Sequence, residues 1–105
     1  MMPKEYETAR KLKERLSEVV QLIDFRVFGS RARGDEDEYS DLDIFIEVDS
    51  LDKELKDKML DIIWEVGLEH LIIISPLIFT RDEIENSALR SSEIVRNISE
   101  EGVRI

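Results

Sequence analysis

The sequence predicts an α/β (α+β) protein in which a small mixed β-sheet packs against helices. Segments with helical periodicity alternate with segments rich in β-branched and aromatic residues, and this alternation favours that class. At 105 residues the chain has the length of a single domain, 1–105. It contains no cysteine, which excludes disulfides and thiolate metal sites.

The first half of the chain predicts one helix and two strands. Apolar residues at helical spacing predict a helix over 4–21. Asp24–Phe28 is rich in strand-forming residues and predicts a strand that stops at Gly29. Alternating apolar residues predict a second strand over 40–48.

The second half predicts three helices and two strands. Asp49 or Ser50 caps a helix that ends at Gly67, with Trp64 assigned to packing. The unbroken apolar run from His70 to Ser75 predicts a third strand buried on both faces, as a central strand would be. The remaining signals are a Thr80–Glu83 capping box, a last helix capped by Ser91 or Ser92 and ended by Gly102, and a short edge strand at 103–105.

One motif carries most of the chemical information. Gly29-Ser30 follows the first strand, and turns of this kind approach and bind anions through successive backbone N–H groups. Arg31 and Arg33 come next, and a guanidinium suits bidentate contact with phosphate. Taken alone, Gly-Ser is most simply an ordinary turn.

Ten residues separate Ser30 from Asp41, and Asp41 and Asp43 stand at the start of the second strand. Residues two apart share a strand face, so their carboxylates point the same way, roughly 6–7 Å apart. Like charges destabilise a strand face, and magnesium would offset that cost because it prefers carboxylate and phosphate oxygens. Taken alone, Asp41 is also explained as a solvated cap. Together the turn and the two acids predict chemistry on a nucleoside triphosphate.

Gly29-Ser30, the ten-residue spacer and Asp41-Leu42-Asp43 resemble the signature of the DNA polymerase beta-type nucleotidyltransferase superfamily. The string from Gly29 to Ile44 is most similar to its smallest prokaryotic members, the minimal nucleotidyltransferases. The resemblance implies that Gly29 and Ser30 bind the triphosphate of a nucleotide, most simply ATP, with help from Arg31 or Arg33. It also implies that Asp41 and Asp43 bind Mg²⁺ and are the catalytic pair.

The same resemblance implies the reaction and its setting. The enzymes transfer a nucleoside monophosphate to a hydroxyl and release pyrophosphate. Minimal nucleotidyltransferases are often paired with a small helical HEPN-domain protein as antitoxin and toxin, and the antitoxin adds AMP to a tyrosine of that partner.

The sequence departs from the family pattern at a third carboxylate. Aligning Pro76 with the family's proline places Ile72 where that acid is expected. Glu69 is the best substitute, although a solvated loop acid explains it more simply. The alternative function is therefore a catalytically degenerate subunit that binds nucleotide or masks a partner.

Charge and hydropathy restrict the partners. A net charge of −10 disfavours nucleic acid as a substrate, because nucleic-acid binders normally present a basic face. No apolar run approaches the roughly 20 residues of a membrane span. We expect a cytoplasmic protein without a signal peptide, for which a homodimer is compatible with its size.

Overall fold

The computed structural model describes residues 1–33, 41–87 and 92–105, with the backbone alone for Ser30 and Arg33. Along the chain the elements are α1 (Pro3–Leu16), β1 (Leu22–Phe28), α2 (Gly29–Arg33), β2 (Leu42–Val48), α3 (Lys53–His70), β3 (Ile74–Thr80), α4 (Arg81–Asn86), α5 (Glu93–Glu101) and β4 (Val103–Arg104).

Within the described residues, four strands form one mixed sheet in the order β3-β2-β1-β4. β1 runs antiparallel to β2 and to β4, and β2 runs parallel to β3. β2 therefore has a neighbour on each side, whereas β3 and β4 are the edges. The predicted fold class is confirmed, and so is the short C-terminal edge strand.

The hydrophobic core lies between one face of the sheet and the helices α1 and α3. Alternate residues of β2 enter it, because successive strand residues point to opposite faces. The buried cluster consists of Ala9, Leu12, Leu16, Phe25, Val27, Leu42, Ile44, Ile46, Val48, Met59, Ile62, Ile63, Val66 and Ile72. The other set of β2 residues, which includes Asp43 and Glu47, points to the opposite face, where both acids are half-buried.

The prediction that the first helix continues to residue 21 was wrong. α1 ends at Leu16, after which the chain forms tighter turns with hydrogen bonds from Glu18 N–H to Arg15 O and from Val19 N–H to Leu16 O. Val20 still packs against the core from the following turn. Its apolar character reflects that packing and not a further turn of helix.

The prediction that Gly67 ends the second long helix was also wrong. α3 continues to His70, and Leu71 closes it in the left-handed conformation with φ 55°. Gly67 serves another purpose, since a Cβ at this position would lie 2.8 Å from the carbonyl oxygen of Ile72. The glycine therefore allows the returning chain to pass close to the helix.

The third strand differs most from its prediction. It begins at Ile74 and not at His70, which is the last residue of α3. It is an edge strand, and the Leu-Ile-Ile segment before it is a connection in which Leu71 and Ile73 are exposed while Ile72 is buried. A continuous apolar run predicts a strand by its composition, but here it follows a helix that ends without a glycine.

The predicted caps are mostly confirmed. The Thr80–Glu83 capping box opens α4, and Ser92 caps α5 by accepting from Val95 N–H. α3 is capped by Asp52, which accepts from Leu55 N–H, and not by Asp49 or Ser50. Ser91, the alternative cap, lies outside the described residues. None of the described helices has the length and apolar character needed to cross a bilayer.

Candidate functional site

The site begins where the backbone at Gly29 meets the side chain of Asp43. Gly29 has φ +78°, a conformation that L-residues rarely adopt. A Cβ at Gly29 would overlap Oδ2 of Asp43 and lie 3.2 Å from its Cγ. The turn after β1 and the carboxylate on β2 are therefore packed together, and only glycine permits that approach.

The β1–β2 pairing explains this proximity. Phe28, the last residue of β1, pairs with Asp43 across the antiparallel ladder, so the turn that follows β1 falls beside the start of β2. Asp41 immediately precedes β2 and is exposed, while Asp43 is half-buried. The structure thus places Asp43 beside the predicted phosphate turn, with Asp41 two residues earlier, just before β2 begins.

Arg31 lies in a setting that the sequence did not reveal. It is 8% exposed, and its Nη1 is 3.6 Å from Oε1 of Glu5, which is 1% exposed. Glu5 Oε1 also accepts from Met2 N–H at 3.3 Å, and Oε2 of Glu5 has no hydrogen-bond partner among the described residues. The buried pair links the first turn of α1 to α2, so Arg31 holds the turn in place whatever its contact with a nucleotide.

Sequence reasoning missed Glu5 because an acid in the first turn of a helix is ordinarily explained by the helix dipole. Only the fold brings the two residues together, since they lie on elements separated by β1. The side chains of Ser30 and Arg33, two of the predicted nucleotide-binding residues, lie outside the described part of the structure. Their assignments, like that of Arg31 as a phosphate ligand, stay predictions.

The position opposite Asp43 on the next strand is Ser75. The parallel register pairs Asp43 with Ser75, so their side chains share one face of the sheet. Ile72 lies before β3 begins, is 7% exposed and belongs to the core cluster on the opposite face. Ile72 therefore does not lie beside Asp43, because the connection from α3 does not continue the strand.

No third acid completes the pair within the described ranges 1–33, 41–87 and 92–105. In those ranges no group of three or more histidine, cysteine, aspartate or glutamate side chains is close enough to hold a metal ion. Glu69, the predicted substitute, is an exposed residue near the end of α3 and does not join Asp41 and Asp43. The donor set fits magnesium, which is commonly held by one or two carboxylates together with substrate phosphates.

Glu47 lies on the same face of the sheet as Asp43, and the pKa of its carboxyl is raised. Burial raises the pKa of its carboxyl, and the negative charge of Asp24 raises it further while Arg81 opposes the shift. Asp24 is the direct cross-strand partner of Glu47, and like charges opposite each other are unfavourable. Arg26 partly offsets this repulsion by binding Asp24 through Nε at 2.9 Å.

Comparison with known proteins agrees with this geometry. Residues 9–105 match the family described as a nucleotidyltransferase domain. A Methanocaldococcus jannaschii protein named "Putative protein adenylyltransferase MJ0141" is 39% identical over 84 residues, which cover 71% of this chain and 78% of the relative.

A chain in a crystal structure of a toxin–antitoxin with AMP-PNP has a similar fold. The TM-score is 0.61 at 19% identity, and the match covers 98% of this chain and 72% of the other. At that level of identity the likeness shows a shared fold and nothing finer.

Proposed function

The chain belongs to the nucleotidyltransferase family and is an enzyme of that class, and we propose that it transfers AMP from ATP to a hydroxyl group of an acceptor protein. The observation that carries this proposal is the close packing of Gly29 against Asp43. It supports an arrangement in which phosphates at the turn and the carboxylates of β2 share one small volume. The relative's name supports the adenylyl group as the one transferred.

Each residue of the site has a distinct part in this scheme. The backbone at Gly29 and Ser30 would bind the β- and γ-phosphates, and Arg33 would contact the same phosphates. Asp41 and Asp43 would hold magnesium, which supplies charge neutralisation and activation of the acceptor hydroxyl. Arg31, paired with Glu5, would keep the turn at its position beside β2.

The transfer itself is a substitution at the α-phosphorus. The acceptor oxygen forms a bond to phosphorus, the bond to the oxygen that bridges to the β-phosphate breaks, and pyrophosphate leaves. The acceptor's proton passes to water, which reaches the exposed Asp41. Positioning and electrostatic stabilisation dominate this kind of chemistry.

We extend the proposal to the setting that the family resemblance implies. The acceptor would be a tyrosine of a small helical HEPN-domain protein, and the pair would act as toxin and antitoxin. The toxin–antitoxin assembly of the structural neighbour is the same kind of setting. The acidic net charge of −10 is consistent with an acceptor that is a protein and not a nucleic acid.

Label transfer tests the reaction. The protein is incubated with magnesium, the protein encoded beside it and ATP labelled at the α- or the γ-phosphate. We expect label to pass from the α-phosphate only and to be lost in Asp41→Asn and Asp43→Asn. Asp49→Asn, at the other end of β2, is the matched control and should retain transfer. Nucleotide binding without transfer would instead support the degenerate, partner-masking subunit.

A further inference from the structure

An apolar groove of about 550 Å³ runs between the second half of α3 and the start of β3. None of the described residues that line it carries a charged side chain. Trp64 is 69% exposed on one wall, and Ile73 is 71% exposed on the other. The assignment of Trp64 to packing was therefore wrong, because its indole lies on the surface. A charge-free, aromatic-containing surface has the composition of an interface core.

The presence of a leucine at position 71 of this groove is not explained by the stability of the fold. It is 84% exposed and has φ 55°, the left-handed conformation in which glycine is strongly preferred. A leucine at this position accepts backbone strain and gains almost no burial within the chain. Strained residues of this kind cluster at binding sites, where the side chain serves a function.

The outer edge of β3 does not favour an added strand. Leu42 N–H donates to Ile73 O at 2.8 Å. In a parallel ladder this means that the backbone N–H and C=O groups of the odd-numbered residues of β3 point toward β2, while those of the even-numbered residues point toward the open edge. Pro76 is one of the outward-facing residues and offers no N–H to a further strand. Helix-in-groove docking, in which an amphipathic helix lays its apolar face along the surface, remains the suitable mode.

Acidic side chains lie beside the groove, and their charge favours some docking helices over others. Asp61, Glu65 and Glu69 form a row on α3 next to the apolar row Leu60, Trp64 and Leu68, since residues four apart align along a helix. Glu65 pairs with Arg15 at 2.7 Å, whereas neither Asp61 nor Glu69 forms an ion pair with another described residue.

This acidic row disfavours a second copy of the chain as the occupant. Two α3 helices packed antiparallel about a two-fold axis would place their acidic rows on the same side of the interface. Each copy also carries a net charge of −10. A partner with basic residues beside its apolar stripe avoids this repulsion and complements the row.

We propose that this groove is the docking site for an amphipathic helix of a partner protein, with Lys or Arg flanking the helix's apolar stripe. The helix would cover Trp64, Leu68 and Leu71, and its basic flank would lie along Asp61 and Glu69. The inference goes beyond the proposed transfer reaction and does not depend on nucleotide binding.

The test uses two synthetic helical peptides that contain no tryptophan and share one apolar stripe. One peptide carries lysines beside the stripe and the other carries glutamates. Trp64 is the only tryptophan of the chain, so its emission reports occupancy of the groove directly. We expect the lysine peptide to shift the emission to shorter wavelength in a saturable titration and the glutamate peptide to have no effect.

Three variants sharpen the result. Leu71→Gly is expected to weaken binding of the lysine peptide about tenfold while making the fold more stable, a combination that a purely structural leucine would not give. Asp61→Lys with Glu69→Lys should reverse the preference to the glutamate peptide. Ile94→Ala removes an exposed apolar residue of α5, outside the groove, and should leave binding unchanged.

Three outcomes would overturn the proposal. The first is no saturable shift with either peptide, and the second is equal affinity for both. The third is a shift that grows with protein concentration alone, together with a dimer in sedimentation, which would identify a second copy as the occupant.

Discussion

Replacing Gly29 by alanine should damage catalysis far more than it damages folding. An L-residue at φ +78° costs about 1–2 kcal/mol of stability. The added methyl group would also occupy the space of the Asp43 carboxylate, so that carboxylate must move. A displacement of about 1 Å in a reacting assembly can cost about 100-fold in rate.

Two measurements separate these effects. Chemical unfolding gives the loss of stability, and transfer of α-label is then compared at a temperature where both proteins are folded. We expect Gly29→Ala to transfer about 100-fold more slowly than the native enzyme under these conditions. If Gly29→Ala slows transfer by only about threefold or less, and not by the expected factor of about 100, the Gly29–Asp43 contact does not assemble the site.

Gly102→Ala is the matched control for this prediction. A Cβ at Gly102 would overlap Ile98 O, a backbone atom of α5, so this substitution also strains the fold. It makes no contact with Asp43. We expect a loss of stability in Gly102→Ala without the loss of transfer, which would assign the effect at Gly29 to its position.

Three further predictions follow from the same geometry. Ile72→Asp would bury a carboxylate in the core and should lower the free energy of unfolding, measured in urea, by about 3 kcal/mol or more. Ser75→Asp instead adds an acid beside Asp43 and should speed transfer about tenfold or more. Glu47→Gln should stabilise the protein at neutral pH, because the folded state binds the Glu47 proton more tightly and loses stability as pH rises above the ordinary glutamate pKa. Glu5→Gln should lower the free energy of unfolding by about 1–3 kcal/mol, because it removes the buried carboxylate charge that contacts Arg31.

Each of these predictions has an outcome that contradicts it. Faster transfer in Ile72→Asp, with unchanged stability, would restore the position chosen by aligning the prolines. If the free energy of unfolding of Glu47→Gln changes with pH as that of the native protein does, Glu47 is not the cause of the native protein's loss of stability with rising pH. Glu7→Gln, an exposed change on the same helix as Glu5, should have little effect. An equal loss in both variants would show that the buried pair is not responsible.

The sequence predicted the fold class and the site motif because both depend on local signals. Strand alternation in β2 and the Gly29-Ser30 turn are readable within a few residues. The capping box at Thr80 is equally local and was confirmed. The motif of the turn and the two acids resembled the signature of the nucleotidyltransferase family, and the family comparison confirmed that membership.

The errors arose where tertiary contacts override local preference. Nothing in the apolar run from Leu71 to Ile74 distinguishes a central strand from a helix cap followed by an edge strand. Leu71 closes the helix in a conformation that ordinarily marks glycine, so the true boundary carried no signal. The Glu5–Arg31 pair was invisible for a related reason, since only the folded sheet brings α1 against α2.

The central place of β2 has a consequence for how the enzyme loses activity. Asp43 sits on a strand whose backbone is paired on both sides, and such strands open only when the whole sheet opens. Asp43, the proposed catalytic acid, is therefore expected to become disordered only when the sheet itself opens. On heating, the position of Asp43 should be lost at the temperature at which the protein itself unfolds. We therefore expect no folded but inactive state that arises from disorder of β2.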